Sequence, residues 1–167
     1  SGTAAMSDAT TTDAAVTVMP LPPGFDRWDA LFDMAKRSFA YMDGAIDPPS
    51  SIHRLTPATL SEKAARETAL VAFHRGALAG CVFLADRGDD LYIGKLAVEP
   101  AMQGNGVGRA LMDAAARHAR GLGRTALELQ TRVELTSNQA AFARLGFRET
   151  GRSAHEGFDR PTSVTMR

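Results

Sequence analysis

At 167 residues, with nineteen Lys and Arg balancing nineteen Asp and Glu, the chain carries no formal net charge and no run of either sign. No electrostatic footprint for nucleic acid or an anionic membrane is visible, so small-molecule or protein partners are expected. The single cysteine, Cys81, cannot form an intrachain disulfide and suits a reducing cytoplasm, and the apolar run Ala77 to Ala85 is far short of the ~20 residues of a membrane helix.

Ser1 to Asp13 is too polar and too small to bury anything and reads as a disordered tail, with neither the basic start nor the apolar core of a signal peptide. Residues 14–167 then form a single domain, long enough for a sizeable core. Val16 to Met19 reads as a short strand stopped by Pro20, Pro22 and Pro23. Trp28, Leu31, Phe32, Ala35, Phe39 and Met42 recur at helical steps, giving a helix from about Asp26 to Met42. Thr56-Pro57 opens a second helix, with a capping hydroxyl and a proline at the first helical position.

Ala69 to Phe73 and Leu78 to Leu84 read as strands joined by the turn His74-Arg75-Gly76, and a polar turn at Asp86 to Asp90 leads into a third strand, Leu91 to Val98. This meander delivers the chain to Gln103-Gly104-Asn105-Gly106-Val107-Gly108-Arg109. Glycines there permit positive φ and close approach of a ligand to the backbone. Val107, Ala110, Leu111, Ala114 and His118 then recur at helical spacing, so a helix begins at about Val107. Its first N–H groups lack partners inside the helix and add to its positive dipole end, which makes a cradle for phosphate. The dinucleotide fingerprint G-x-G-x-x-G and the P-loop triplet Gly-Lys-Ser/Thr are both absent. Thr125 to Thr131 alternates as a strand with one polar face, Thr136 to Gln139 fits a capping box for a helix running to Gly146, and Phe147 to Ser153 with Thr162 to Met166 closes the chain as a hairpin.

Gln103-x-x-Gly106-x-Gly108, preceded by a strand written Leu96-x-Val98-x-Pro100, resembles the Q/R-x-x-G-x-G/A signature of the GCN5-related N-acetyltransferases, the GNAT family. The resemblance covers about Val16 to Met166 and implies an α+β fold, a mixed and mostly antiparallel sheet of about seven strands flanked by about four helices. It implies that the amides of Gln103, Gly104, Asn105, Gly106, Val107, Gly108 and Arg109 hold the pyrophosphate of coenzyme A. It also implies that the fourth and fifth strands splay apart, with Leu96, Ala97 and Val98 beside the pantetheine arm and one of the Leu96 and Val98 amides polarising the acetyl carbonyl.

The implied activity is transfer of an acetyl group from acetyl-CoA to an amine, whether a small molecule, an amino terminus or a lysine, by direct transfer in a ternary complex without a metal. A homodimer is common in the family. The family's proton-donating tyrosine would fall at Phe142, which has no hydroxyl, and its asparagine at Leu135, with Asn138 nearby as a substitute or a helix cap. This departure keeps alive an alternative, a non-catalytic coenzyme A-binding sensor, and a third reading transfers a larger acyl group. Glu128, Glu134 and His155 are candidates for the base, Tyr41 and Tyr92 for the missing acid, and His53 and Arg54 for acceptor specificity.

Overall fold

The computed structural model describes residues 15–167, so the tail expected over residues 1–13 lies outside the described residues. In chain order come β1 (Val16–Pro20), α1 (Trp28–Phe39), α2 (Pro57–Arg66), β2 (Thr68–His74), β3 (Ala77–Asp86), β4 (Asp90–Val98), α3 (Val107–Gly121), β5 (Ala126–Arg132), α4 (Thr136–Arg144), β6 (Glu149–Ser153) and β7 (Ser163–Met166). The seven strands form one sheet in the order β1-β2-β3-β4-β5-β7-β6, antiparallel except for the parallel pair β4–β5. This is the α+β architecture that the resemblance implied.

Two apolar layers cover the two faces. On one face α3 sends Val107, Leu111, Met112, Ala115 and Ala119 against Leu70, Val82, Leu84, Leu91, Ile93 and Leu129. On the other, Leu31, Phe32, Met34, Ala35 and Phe39 of α1 and Leu60 of α2 pack on Val71, Cys81, Phe83 and Ala97. The alternation of side chains along β3 and β4 feeds both layers, which fixes the register of the strands between them.

Local chemistry sets the ends of these elements. At α2 the Thr59 N–H donates to Thr56 Oγ1 at 3.1 Å and the Thr56 N–H donates back to Thr59 Oγ1 at 2.8 Å, a reciprocal box with threonine in the glutamate position. The box expected at α4 does not form. Leu135, not Thr136, is the capping residue, and Gln139 instead donates to the carbonyls of Arg132 at 3.1 Å and Val133 at 3.2 Å. The β2–β3 turn is one residue tighter than expected, because His74 joins the ladder opposite Ala77 and only Arg75 (φ 53°) and Gly76 (φ 84°) turn the chain. The first helix ends at Phe39 and tightens into a single 3-10 turn at Ala40–Met42.

The feature that positions the site is a fork. Strand β4 pairs with β5 only over Asp90 to Ile93 against Ala126 to Leu129. Beyond that point β4 stays on β3 as far as Val98, while β5 turns to β7 over Leu129 to Arg132. The ladder explains why the two part: Phe83 faces Lys95 and Leu84 faces Ile93, so Gly94 is an extra residue in β4. Such a bulge bends its strand and ends pairing locally.

Candidate active site

The glycine turn closes on α3 as the sequence suggested. Gly104 and Gly106 have φ of 88° and 79°, and a Cβ built on either meets nothing within 4 Å, so the backbone is bare toward solvent. Gly106 caps α3, and the first amide to find a helical carbonyl is that of Ala110, which donates to Gly106 at 2.9 Å. The amides of Val107, Gly108 and Arg109 therefore face back into the turn. Gln103 and Arg109 are exposed at its rim, Asn105 braces it by donating to the Met102 carbonyl at 3.0 Å, and buried Val107 pins it to the sheet.

Gly80 lets the helix come this close. A Cβ there would stand 2.7 Å from the Ala97 carbonyl and 3.1 Å from Val107.

The fork opens into a cavity of about 270 Å³ whose walls include Tyr92 to Leu96 of β4, Leu129 to Arg132 of β5, Asn138 and Phe142 of α4, and residues from Phe39 to Arg54. None of residues 103–109 lines it, so the glycine turn and the cavity are separate features, linked by the end of β4 and the 3-10 turn Pro100–Met102. The Glu99 amide donates to the Ala79 carbonyl on β3 at 2.7 Å, and strand alternation turns the Val98 and Leu96 amides the other way, toward the fork. The two are not equivalent. Val98 N–H already donates to the hydroxyl of buried Ser38 on α1 at 3.0 Å, whereas among the described residues no such side-chain partner is seen for Leu96, which lines the cavity.

Phe142 lines the cavity and rests edge-on against Phe147 with ring centroids 5.9 Å apart, so it both packs the helix and contacts the site. Asn138 donates to the Tyr41 hydroxyl at 2.8 Å and does not cap its helix. Both tyrosines line the cavity, but Tyr92 is stacked 3.9 Å under the Arg87 guanidinium and its phenol is pushed up by burial, while Tyr41 is half-exposed.

His155 lies in the wall with Nδ1 against Thr162 Oγ1, and burial together with the charges of Arg132 and Arg54 holds its pKa below the ordinary 6.5. Glu128 is not brought there: its carboxylate takes an ion pair from Arg87 at 3.2 Å on the outer part of β5. Glu134 likewise lies outside, accepting from the Asp47 amide. Of the specificity pair, Arg54 reaches the cavity and His53 turns away to Asp43 at 2.8 Å.

Sequence reasoning passed over Ser38, Ser51, Lys95 and Arg132, which come from four segments and carry no motif. Only the strand alternation that sends Lys95 to the α1–α2 face hinted at one of them. Among the described residues no cluster of three or more His, Cys, Asp or Glu is arranged to hold a metal, and no helix is long and apolar enough to cross a membrane.

Residues 28–147 match the family model described as acetyltransferase (GNAT) family. The chain belongs to the GNAT acetyltransferases. It is 30% identical over 140 residues to the IAA acetyltransferase of Azospirillum brasilense, a match covering 83% of this chain and 89% of that one. Its fold resembles Ard1 from Thermoplasma volcanium, with TM-score 0.73 and 20% identity over 91% of this chain and 95% of that chain. It also resembles the PaiA N-acetyltransferase from Thermoplasma acidophilum in complex with coenzyme A, with TM-score 0.72 and 14% identity over 90% and 97% of the two chains. This GNAT protein is thus an acetyl-CoA-dependent N-acetyltransferase, and its acceptor is an amine.

Proposed function

We propose that the Gln103 to Arg109 turn holds the pyrophosphate of acetyl-CoA, that the fork receives its pantetheine arm, and that an amine enters from the α1–α2 side for direct transfer. The observation that carries this reading is one of continuity. The strand bordering the fork, β4, leaves β5 at Gly94, stays on β3 as far as Val98, and is joined through the single 3-10 turn Pro100–Met102 to the bare glycine turn. The bound coenzyme supplies an acyl group activated as a thioester, and the rest is the work of the chain's own groups.

The Leu96 amide is the donor free to polarise a carbonyl lying in the fork. Tyr41, fixed by Asn138 and facing the same cavity as Phe142, is the hydroxyl that protonates the leaving thiolate in place of the family's tyrosine. His155, whose pKa is held below the ordinary histidine value by burial and by Arg132 and Arg54, accepts the proton that the amine gives up. Cys81 takes no part: it is buried and its thiol is pushed up to about 12 by desolvation. A homodimer belongs to the same proposal, through strand β6, whose five residues are all exposed at the sheet edge.

Initial velocities measured against both substrates test the direct route. Intersecting double-reciprocal lines are expected, and parallel lines, the mark of a covalent acetyl-enzyme, would overturn it.

A further inference from the structure

The walls of the cavity carry a charge pattern unlike that of the whole chain. Arg54, Lys95 and Arg132 line it together with His155, and no aspartate or glutamate does, although acidic and basic residues balance overall. All three cations belong to the α1–α2 side of the fork. Lys95 stands on β4 between Gly94 and Leu96 and donates to Ser51 Oγ, just ahead of Arg54 in the 3-10 turn Ser51–Arg54. Arg132, at the end of β5, donates to the carbonyls of Pro48 and, at 3.0 Å, Pro49, which holds its guanidinium beside the same loop.

The nearby carboxylates stand outside the walls and offset this group only in part: Glu67, just past the end of α2, is paired with Lys63 at 2.8 Å, Asp43 with His53 and Asp47 with Arg160, while Glu67 also acts on Lys95 and Glu134 on Arg132. Arg54 has no ion-pair partner among the described residues.

Holding like charges together in a partly buried cavity is unfavourable unless something of opposite sign enters it. On the reading proposed above the pyrophosphate lies at the glycine turn, which contributes nothing to these walls. We infer that Arg54, Lys95 and Arg132 form a subsite for an anionic group on the acceptor, so that the amine acetylated here also carries a carboxylate. This rests on the reading of the fork as the place of transfer. The Arg54 guanidinium suits a carboxylate because its paired N–H donors match the two oxygens, and Arg132, held at Pro48 and Pro49, adds positive charge beside it. An acceptor whose other groups are also ammonium ions, such as a polyamine, meets repulsion from three sides.

The test compares matched pairs on the full chain: L-amino acids spanning small, apolar, aromatic and acidic side chains, each against its own carboxamide, with spermidine as the cationic control. Acetyl-CoA binding is measured separately by calorimetry, so that loss of the coenzyme site is not mistaken for loss of this one. The expected result is kcat/KM at least tenfold higher for the carboxylate of a pair, with Arg54→Met and Lys95→Met each removing most of that ratio while the affinity for acetyl-CoA stays unchanged. Carboxamides or spermidine used as well as the carboxylates would overturn the inference while leaving the coenzyme reading intact.

If no member of the panel is acetylated, the same pairs are titrated into the protein loaded with coenzyme A. Saturable binding of a carboxylate that Arg54→Met weakens upholds the subsite, and its absence throughout the panel refutes it.

Discussion

The backbone amide of Val98 donates to the hydroxyl of Ser38 at 3.0 Å, linking α1 to the strand that borders the fork. Of the two amides expected to meet the coenzyme, that of Val98 is therefore already engaged. Ser38→Ala leaves the part-buried Val98 N–H without its partner, which costs about 1 kcal/mol. Urea unfolding is expected to show that loss, while the dissociation constant for acetyl-CoA changes by less than about threefold, under 1 kcal/mol. A large fall in affinity with unchanged stability would show that Ser38 and Val98 contact the coenzyme after all.

Tyr41 and Asn138 bring a hydroxyl to the cavity that Phe142 cannot supply. Loss of a general acid typically lowers rate by about 10²-fold or more, so Tyr41→Phe is expected to reduce single-turnover acetylation by that order and to leave coenzyme affinity unchanged. Adding Phe142→Tyr to that variant restores a hydroxyl from the neighbouring helix and should recover part of the rate. An unaffected rate in Tyr41→Phe would remove Tyr41 from the mechanism.

Gly80 is where strand, strand and helix crowd together. A methyl group 2.7 Å from the Ala97 carbonyl forces backbone to move, and overpacking of this kind costs about 1–3 kcal/mol. Since Val107 is one of the atoms displaced, Gly80→Ala should weaken acetyl-CoA binding as well as lower the unfolding midpoint. Calorimetry beside denaturation reads both.

Lys95 gives a stability signature in pH. Burial, followed by the charges of Lys63, Arg54 and Arg132, lowers its pKa from 10.5 to about 8, with Glu67 opposing. The unfolded chain binds this proton more tightly, so between about pH 8 and the ordinary lysine value near 10.4 folding releases it and stability rises with pH. The difference in unfolding free energy between the wild type and Lys95→Met should climb through that window. A flat difference would mean that Lys95 is solvated as an ordinary surface lysine.

Much of this was legible beforehand because it depends on local pattern. Alternation along β2, β3 and β4, the glycines before Val107 and the helical spacing after it are properties of adjacent residues, and the structure reproduces them. What escaped depends on tertiary placement. The Gly94 bulge is invisible until β3 is laid beside β4, since glycine in a strand has several causes. Thr136 to Gln139 has the letters of a capping box, yet the turn from β5 puts Leu135 at the cap and draws Gln139 to the carbonyls it leaves exposed. Glu128 sits on a polar strand face as read, but it is paired with Arg87 of the β3–β4 turn and does not line the cavity. The cationic wall is assembled from Arg54, Lys95 and Arg132, which share no spacing in the chain.

The glycine cradle is the central claim, and calorimetric titration with acetyl-CoA of the wild type and of Gly108→Trp tests it without knowledge of the acceptor. A Cβ at Gly108 makes only an ordinary 3.6 Å contact with Val98, so the indole covers the turn while the fold, checked by circular dichroism, is retained. Saturable binding to the wild type, weaker binding of pantetheine lacking the pyrophosphate, and loss of acetyl-CoA binding in the folded variant are expected of a phosphate cradle at this turn. Equal affinity of the two proteins for acetyl-CoA would contradict it.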